Sequence, residues 1–167
     1  PIKRNNLFYG VCDSDFEKKV GKEYVEMDMG QTIILYQVDL EKTNNDKIYG
    51  ETSINDVVFK HPVEVPCIYN IDKPELRSYE KNKNLGTYQK MGQLHIGVYE
   101  STLEELGCGI KKGDYIGVQI TESHREYWVV VNDGKNNYDN AHTQFGVKPF
   151  FRNIDCASVD KTEFEGK

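Results

Sequence analysis

Short segments with alternating apolar and polar residues recur along the whole chain, and they constrain the fold more than any other feature. Successive side chains of a β-strand point to opposite faces, so a period of two is typical of a strand that buries one face. Six segments have this pattern or a β-branched and aromatic composition, namely 31–40, 57–69, 86–99, 114–121, 124–132 and 149–159. The sequence therefore predicts a mainly β protein, a compact β-barrel or sandwich with one or two short helices and long loops.

Two of these segments carry further information. Pro62 and Pro66 cannot donate ladder hydrogen bonds, which predicts that 57–69 lies at a sheet edge or contains a bulge. In 86–99 the apolar side chains of Leu94, Ile96 and Val98 would share one face.

Two helices are indicated. In "ESTLEELG" the spacing of Ser101 and Glu104 is typical of a capping box, and Gly107 suits the left-handed position that ends a helix. Nearer the N-terminus, Phe16, Val20 and Tyr24 recur every four residues. This spacing predicts an amphipathic helix packed on the sheet or on a neighbour, although Gly21 weakens it.

Length favours a single domain, because 167 residues are close to the typical domain size of roughly 100 to 150. We divide the chain into an N-terminal arm or helix over 1–30, a β-rich domain over 31–160 and a C-terminal tail over 161–167. No apolar run reaches the roughly 18 residues that span a bilayer, and the first ten residues lack a signal-peptide core. We therefore expect a soluble, non-secreted protein without membrane contact.

Charge and cysteine spacing argue against two kinds of site. The net charge of −6 disfavours a nucleic-acid clamp, which needs Lys and Arg to neutralise phosphates. No histidine lies within two to four residues of a cysteine, and no C-x-x-C motif occurs, so we expect no metal site and no cofactor. Four cysteines, Cys12, Cys67, Cys108 and Cys156, are interpreted as small buried apolar residues.

The glycine-rich stretch "GCGIKKGDYIGVQI" resembles a phosphate-binding loop only superficially. Such a loop follows a strand and opens a helix, whereas this stretch follows a helix and precedes a strand. We interpret Gly107 as the helix end and Gly113–Asp114 as the turn into the next strand.

A nucleophilic site is the catalytic alternative. Cys108 would need His95 or His124 as its base, with Asp114 to orient the imidazole. Nothing in the spacing requires these residues to meet, so the chain is predicted not to be an enzyme and to contain no catalytic residue.

Three polar segments separate the predicted strands: 41–56, 70–85 and 132–146. Connections of this length are uncommon in compact domains and are usually functional or disordered. One interpretation is mobile surface loops, and the other is that they contact further chains. The second is favoured because the segments carry the anchor-type aromatic residues Tyr49, Tyr79, Tyr138 and Phe145.

Six motifs follow one another in a characteristic order: "NNDKIYGETS", "VVFKHPVEVPCIY", "QLHIGVYESTLEELG", "IKKGDYIGV", "YWVVVNDGKNNYDN" and "VKPFFRNI". In this order they resemble the neck, or head-to-tail connector, proteins of tailed bacteriophages, including ring proteins of crAss-like phages and neck proteins of contractile-tailed phages. The resemblance covers most of 31–157 and leaves 1–30 without a counterpart.

The resemblance implies a structural virion protein at the head–tail junction, made in the bacterial cytoplasm. Its copies would form a twelvefold ring that contacts the portal and adjacent neck or tail proteins. Viral DNA would pass through the lumen without specific binding, which the acidic net charge suits. The Y-G-E loop would contact a neighbour through Asp46, Ile48, Tyr49, Gly50 and Glu51, and Trp128 would lie on a core strand. A monomeric β-barrel binding module for a peptide or glycan is the alternative, and a small cysteine-dependent hydrolase is a weaker one.

Overall fold

A computed structural model of the chain describes residues 10–43, 57–72, 75–78, 87–90, 92–134 and 150–159. Helix α1 spans Val11–Glu23 and continues as a π-helical segment over Tyr24–Met29. Short helix α2 spans Glu100–Glu105. The strands are β1 (Thr32–Tyr36), β2 (Val63–Pro66), β3 (Ile68–Ile71), β4 (Glu75–Ser78), β5 (Thr87–Lys90), β6 (Gln93–Tyr99), β7 (Tyr115–Thr121), β8 (His124–Asn132) and β9 (Phe151–Ser158).

Seven strands form one antiparallel sheet in the order β2-β1-β7-β8-β9-β6-β3. Its two edge strands, β2 and β3, are consecutive in the chain and are separated only by Cys67. The sheet must therefore curl until its two edges meet at this residue. The expectation of a mainly β fold is confirmed; the form is sandwich-like rather than a closed barrel.

The buried apolar residues of the described segments form a core inside the curled sheet. Alternate residues of β1, β6 and β9 point inward, as Leu94, Ile96 and Val98 of β6 do. Trp128 of β8 is also buried. The buried cluster consists of Ile33, Leu35, Val65, Cys67, Leu94, Ile96, Val98, Leu103, Ile110, Ile116, Val118, Trp128, Val130, Ile154 and Cys156. The period-two pattern of the sequence therefore identified the inward face of β6 correctly.

Two predicted strands are each divided in the structure. The run 57–69 becomes β2 and β3, with Phe59 forming only an isolated bridge to Val38. Pro66 lies on edge strand β2, in agreement with the expectation that proline confines this run to an edge. The run 86–99 becomes β5 and β6.

The interpretation of 70–85 as a connection without secondary structure was wrong. Strand β3 extends to Ile71, and β4 pairs with β5 in a separate two-stranded antiparallel sheet. Glu75–Ser78 has the sequence ELRS, which is short and polar, so it lacks the apolar alternation that marks the other strands.

The proposed cap of α2 is also corrected. The helix begins at Glu100 with Tyr99 in the N-cap position, and no side chain caps it. Ser101 is therefore inside the helix. Gly107, which follows α2, has φ 63°, in the left-handed region that glycine adopts readily.

None of the helices in the described segments is long and apolar enough to cross a membrane.

Candidate functional site

The residues predicted to contact other chains lie outside the described part of the structure. They are Asp46, Ile48, Tyr49, Gly50, Glu51, Tyr79, Tyr138 and Phe145. The turn residues Gly107, Gly113 and Asp114 and the cysteine and histidine candidates are described.

The Gly-Asp turn joins three parts of the sheet. Gly113 has φ 92°, and its N–H donates to the carbonyl of Val130 over 2.9 Å. The buried Asp114 carboxylate accepts N–H bonds from Val38 at 3.1 Å and from Lys111 at 2.8 Å. The chain beyond β1, the loop before β7 and strand β8 are thus held at one point.

Burial raises the pKa of Asp114, and the N–H bonds from Lys111 and Val38 partly oppose this shift by stabilising the carboxylate. The role of this residue in the structure is to accept backbone hydrogen bonds. Both of its oxygens are used in that way, so the geometry does not place it as the residue that orients a catalytic histidine.

An ion pair between a buried arginine and a partly exposed glutamate holds the same glycine-rich loop from its other side. Arg152 on β9 pairs with Glu100 at the start of α2, and its guanidinium donates to the carbonyl of Ile110 over 3.1 Å. The Arg152 side chain is 7% exposed. The stretch 107–114 is therefore fixed to β9 and α2 as well as to β1 and β8, which agrees with its interpretation as architecture.

One face of α1 packs against the end of the sheet and against α2. Gly21 lies beneath Tyr99, so close that a Cβ at this position would overlap the tyrosine hydroxyl. Lys22 bonds Glu105 over 2.6 Å, and the Thr102 hydroxyl donates to Glu26 over 2.7 Å. The glycine that weakened the helix prediction is thus the place where the sheet approaches the helix.

The apolar stripe of α1 faces away from the sheet. Phe16 is 69% exposed, Val20 48%, Tyr24 50% and Met27 76%. We call these four residues the outer stripe. Of the two expected packing partners, the sheet was wrong for Phe16, Val20 and Tyr24, because the packed face is formed by Ser14, Gly21 and Val25 instead. Packing of the stripe on a neighbour stays a prediction.

The cysteine environments disfavour a nucleophilic site. Burial raises the pKa of Cys67 and of Cys156 to about 12, and it also raises the pKa of Cys108. A thiol that is protonated at neutral pH is a poor nucleophile. Cys12, expected to be buried, is exposed.

The candidate bases have carboxylate neighbours. His95 Nδ1 lies 2.7 Å from Asp155 and its Nε2 lies 3.4 Å from Asp72, while His124 lies 3.4 Å from Glu126. Within the described segments no group of three or more His, Cys, Asp or Glu side chains could hold a metal ion.

A groove of about 500 Å³ crosses the outer face of β3, β6 and β9. Its polar lining includes Asn70, His95, Asn153 and Asp155, and its apolar lining includes Phe151. The Phe151 ring covers Gly97, where a side chain would collide with it. The arrangement offers amide and carboxylate groups beside an aromatic ring, which suits a small polar ligand.

Sequence reasoning missed the direction of the outer stripe and the groove. The spacing of Ser14, Gly21 and Val25 was the available signal for α1, since a helix that lies close to a sheet needs small side chains at the contact. The groove had no such signal, because its lining comes from three strands that are distant in sequence.

No family model matches the chain, and no curated protein matches it. The class that the described residues define is a mainly β domain with an apolar helix face turned outward.

Proposed function

We propose that the protein is a structural subunit of a tailed-phage neck, forming a ring that joins portal to tail around the DNA path. The outer stripe of α1 carries this proposal. Exposed apolar patches of more than a few hundred Å² are rare on monomeric proteins and usually mark an interaction surface. A chain whose apolar helix face has no partner within its own described fold is suited to assembly.

The remaining features favour an assembly role over a catalytic one. The raised pKa of the Cys108 thiol and the use of both Asp114 oxygens by backbone N–H groups disfavour the Cys-His arrangement that Asp114 would orient. The motif order resembles phage connectors, and the ring of twelve, the portal, the neighbouring neck or tail proteins and the virion location come from that resemblance.

A second candidate function is a monomeric binding module for a peptide or glycan. The groove over Gly97 is the observation that favours it, because it combines aromatic rings with two side-chain amides and the Asp155 carboxylate. This candidate requires no contact between copies.

Sedimentation velocity with and without the portal protein of the same virus separates the two. We expect the wild-type protein to co-sediment with the portal as a ring, and Phe16→Glu to lose this association while keeping its unfolding temperature. Lys112→Glu, an exposed change on the turn at 111–113, is the matched control. A wild-type protein that remains separate from the portal would reject the ring.

A further inference from the structure

We propose that the free protein pairs with a second copy of itself through α1, the two helices antiparallel about a twofold axis with their outer stripes in contact. This inference concerns the chain before it joins any assembly, and it goes beyond the proposed ring. It rests on the two faces of α1, the exposed area of the stripe and the charges beside it.

The two faces of α1 are distinct. The inner face is occupied by Tyr99, Thr102 and Glu105, which contact Gly21, Glu26 and Lys22 in turn. With 3.6 residues per turn, Phe16, Val20 and Tyr24 lie within about 80° of one another on the opposite side. The stripe is therefore turned away from the domain along the length of the helix.

The exposed area is of the size that a weak dimer needs. At the observed exposures the four side chains of the outer stripe present on the order of 400 Å² of apolar surface per copy. Together with the stems of the flanking charged side chains, two copies would bury about 1,000 Å², the lower limit of specific interfaces. We therefore expect a dissociation constant in the range of about 1 to 100 µM.

The charged residues beside the outer stripe favour a second copy of this chain as the partner that covers it. Lys19 and Glu23 are both exposed and lie on the same side of Phe16. Among the described residues neither has an ion-pair partner, whereas Lys18 and Lys22 pair with Asp15, Glu26 and Glu105. The stripe is thus bordered by one cation and one anion that α1 itself does not pair.

An antiparallel arrangement satisfies both charges. With Val20 of the two copies near the axis, Phe16 of each faces Tyr24 of the other, and residues on one flank meet the same flank of the second helix. Lys19 of each copy then lies about 3 Å along the helix axis from the level of Glu23 of the other, and at the same offset from the other Lys19. Two Lys–Glu attractions therefore outnumber one Lys–Lys repulsion. In a parallel arrangement this flank meets the opposite flank of the second helix, so Lys19 and Glu23 of the two copies do not approach each other and neither ion pair forms.

Sedimentation equilibrium over a range of about 1 to 200 µM tests the pairing. We expect the wild-type protein to dimerise and Phe16→Glu to stay monomeric. Lys19→Glu and Glu23→Lys should each weaken dimerisation about tenfold or more, because each replaces two attractions with two repulsions.

Mixing the two charge variants gives the sharper test. A Lys19→Glu copy carries two glutamates on the flank and a Glu23→Lys copy carries two lysines, so the antiparallel heterodimer regains both ion pairs. The mixture should therefore dimerise more tightly than either variant alone, and the double variant K19E/E23K should behave like the wild type. Lys112→Glu is the control for a charge change away from the stripe, and circular dichroism checks that every variant is folded.

A wild-type protein that is monomeric throughout this range would overturn the pairing, as would a mixture no tighter than its components. These outcomes are distinct from failure of the proposed ring. If the wild-type protein is monomeric and binds the portal, and its Phe16→Glu variant does not bind, the proposed ring is supported and the pairing is rejected. If the wild-type protein dimerises but does not bind the portal, the pairing is supported and the proposed ring is rejected.

Discussion

At the scale of single residues, Asp114 explains why a glycine-rich stretch that suggests a phosphate loop is structural. Its carboxylate accepts hydrogen bonds from two partly buried backbone N–H groups, those of Val38 and Lys111. A buried unpaired N–H costs about 1 to 3 kcal/mol. The glycine at 113 supplies the left-handed backbone, and the aspartate supplies the hydrogen bonds that hold the turn in place.

Asp114→Asn should destabilise the protein by about 1 to 2 kcal/mol at neutral pH, because the amide offers only one acceptor and turns an N–H₂ toward the second donor. Urea unfolding measures the loss. Lys112→Gln, in the same turn but exposed, should change stability by less than about 0.5 kcal/mol.

The pH dependence of this variant has a definite sign. The pKa of Asp114 is raised in the folded state, so the folded protein is stabilised by protonation of this residue. This stabilisation is fully present when the pH is below the pKa of Asp114 in the unfolded chain. It is lost as the pH rises through the pKa of Asp114 in the folded protein. The stability difference between wild type and Asp114→Asn should therefore widen as pH falls from about 6 to about 4. A stability difference that narrows over this range would show that the hydrogen bonds lower the pKa of Asp114 by more than burial raises it.

At the scale of elements, α1 is attached to the sheet through a close approach that only glycine allows. Tyr99 also stacks on Phe150 and contacts the Phe151 ring edge to face, so its own position is fixed from the sheet side. Because the Tyr99 ring is fixed, the helix can approach it only at a residue without a side chain, which is Gly21.

Gly21→Ala should destabilise the protein by about 1 to 3 kcal/mol, because the new methyl group would overlap the Tyr99 hydroxyl and lie 2.9 Å from Cζ. This loss should exceed the gain of up to about 1 kcal/mol that alanine brings to a helix. Thermal unfolding gives the comparison. Gly109→Ala, where no atom lies within 4 Å of the new Cβ, is the matched control.

Removing the hydroxyl in a Tyr99→Phe background should recover part of the loss at Gly21. If Gly21→Ala instead stabilises the protein in both backgrounds, the helix is not held against Tyr99, and the inner face of α1 has been assigned incorrectly.

The strands of the seven-stranded sheet were predictable from the sequence, whereas the orientation of α1 was not, for a physical reason. Alternation reports directly which side chains of a strand are buried, so Leu94, Ile96 and Val98 could be placed without any knowledge of their neighbours. The stripe of Phe16 and Val20 reports only that a helix has an apolar face. Which face meets the sheet was decided by the shape around Tyr99, a contact between residues about eighty positions apart.

At the scale of the whole molecule, the described surfaces and the proposed ring contacts come from different parts of the chain. The outer stripe belongs to α1, whereas the residues predicted to contact neighbours lie in 44–56, 79–86 and 135–149, outside the described segments. Sequence reasoning selected those loops by their length and aromatic residues. The curled sheet alone could not have selected them, because a mainly β domain serves many functions.

The proposed ring predicts that Tyr49 is an anchor residue at the interface between neighbouring copies. If Tyr49 is an anchor in the neighbouring copy, Tyr49→Ala should remove roughly 2 kcal/mol or more per contact. A closed ring repeats this loss at every identical interface, so assembly should fail although each copy remains folded. Thermal unfolding of the isolated variant and its incorporation into portal-bound particles are measured together, with Leu40→Ala, an exposed apolar change outside that loop, as the control. Normal incorporation at normal stability would remove Tyr49 from the interface, whereas a large fall in the unfolding temperature would assign Tyr49 to the folded core of its own chain.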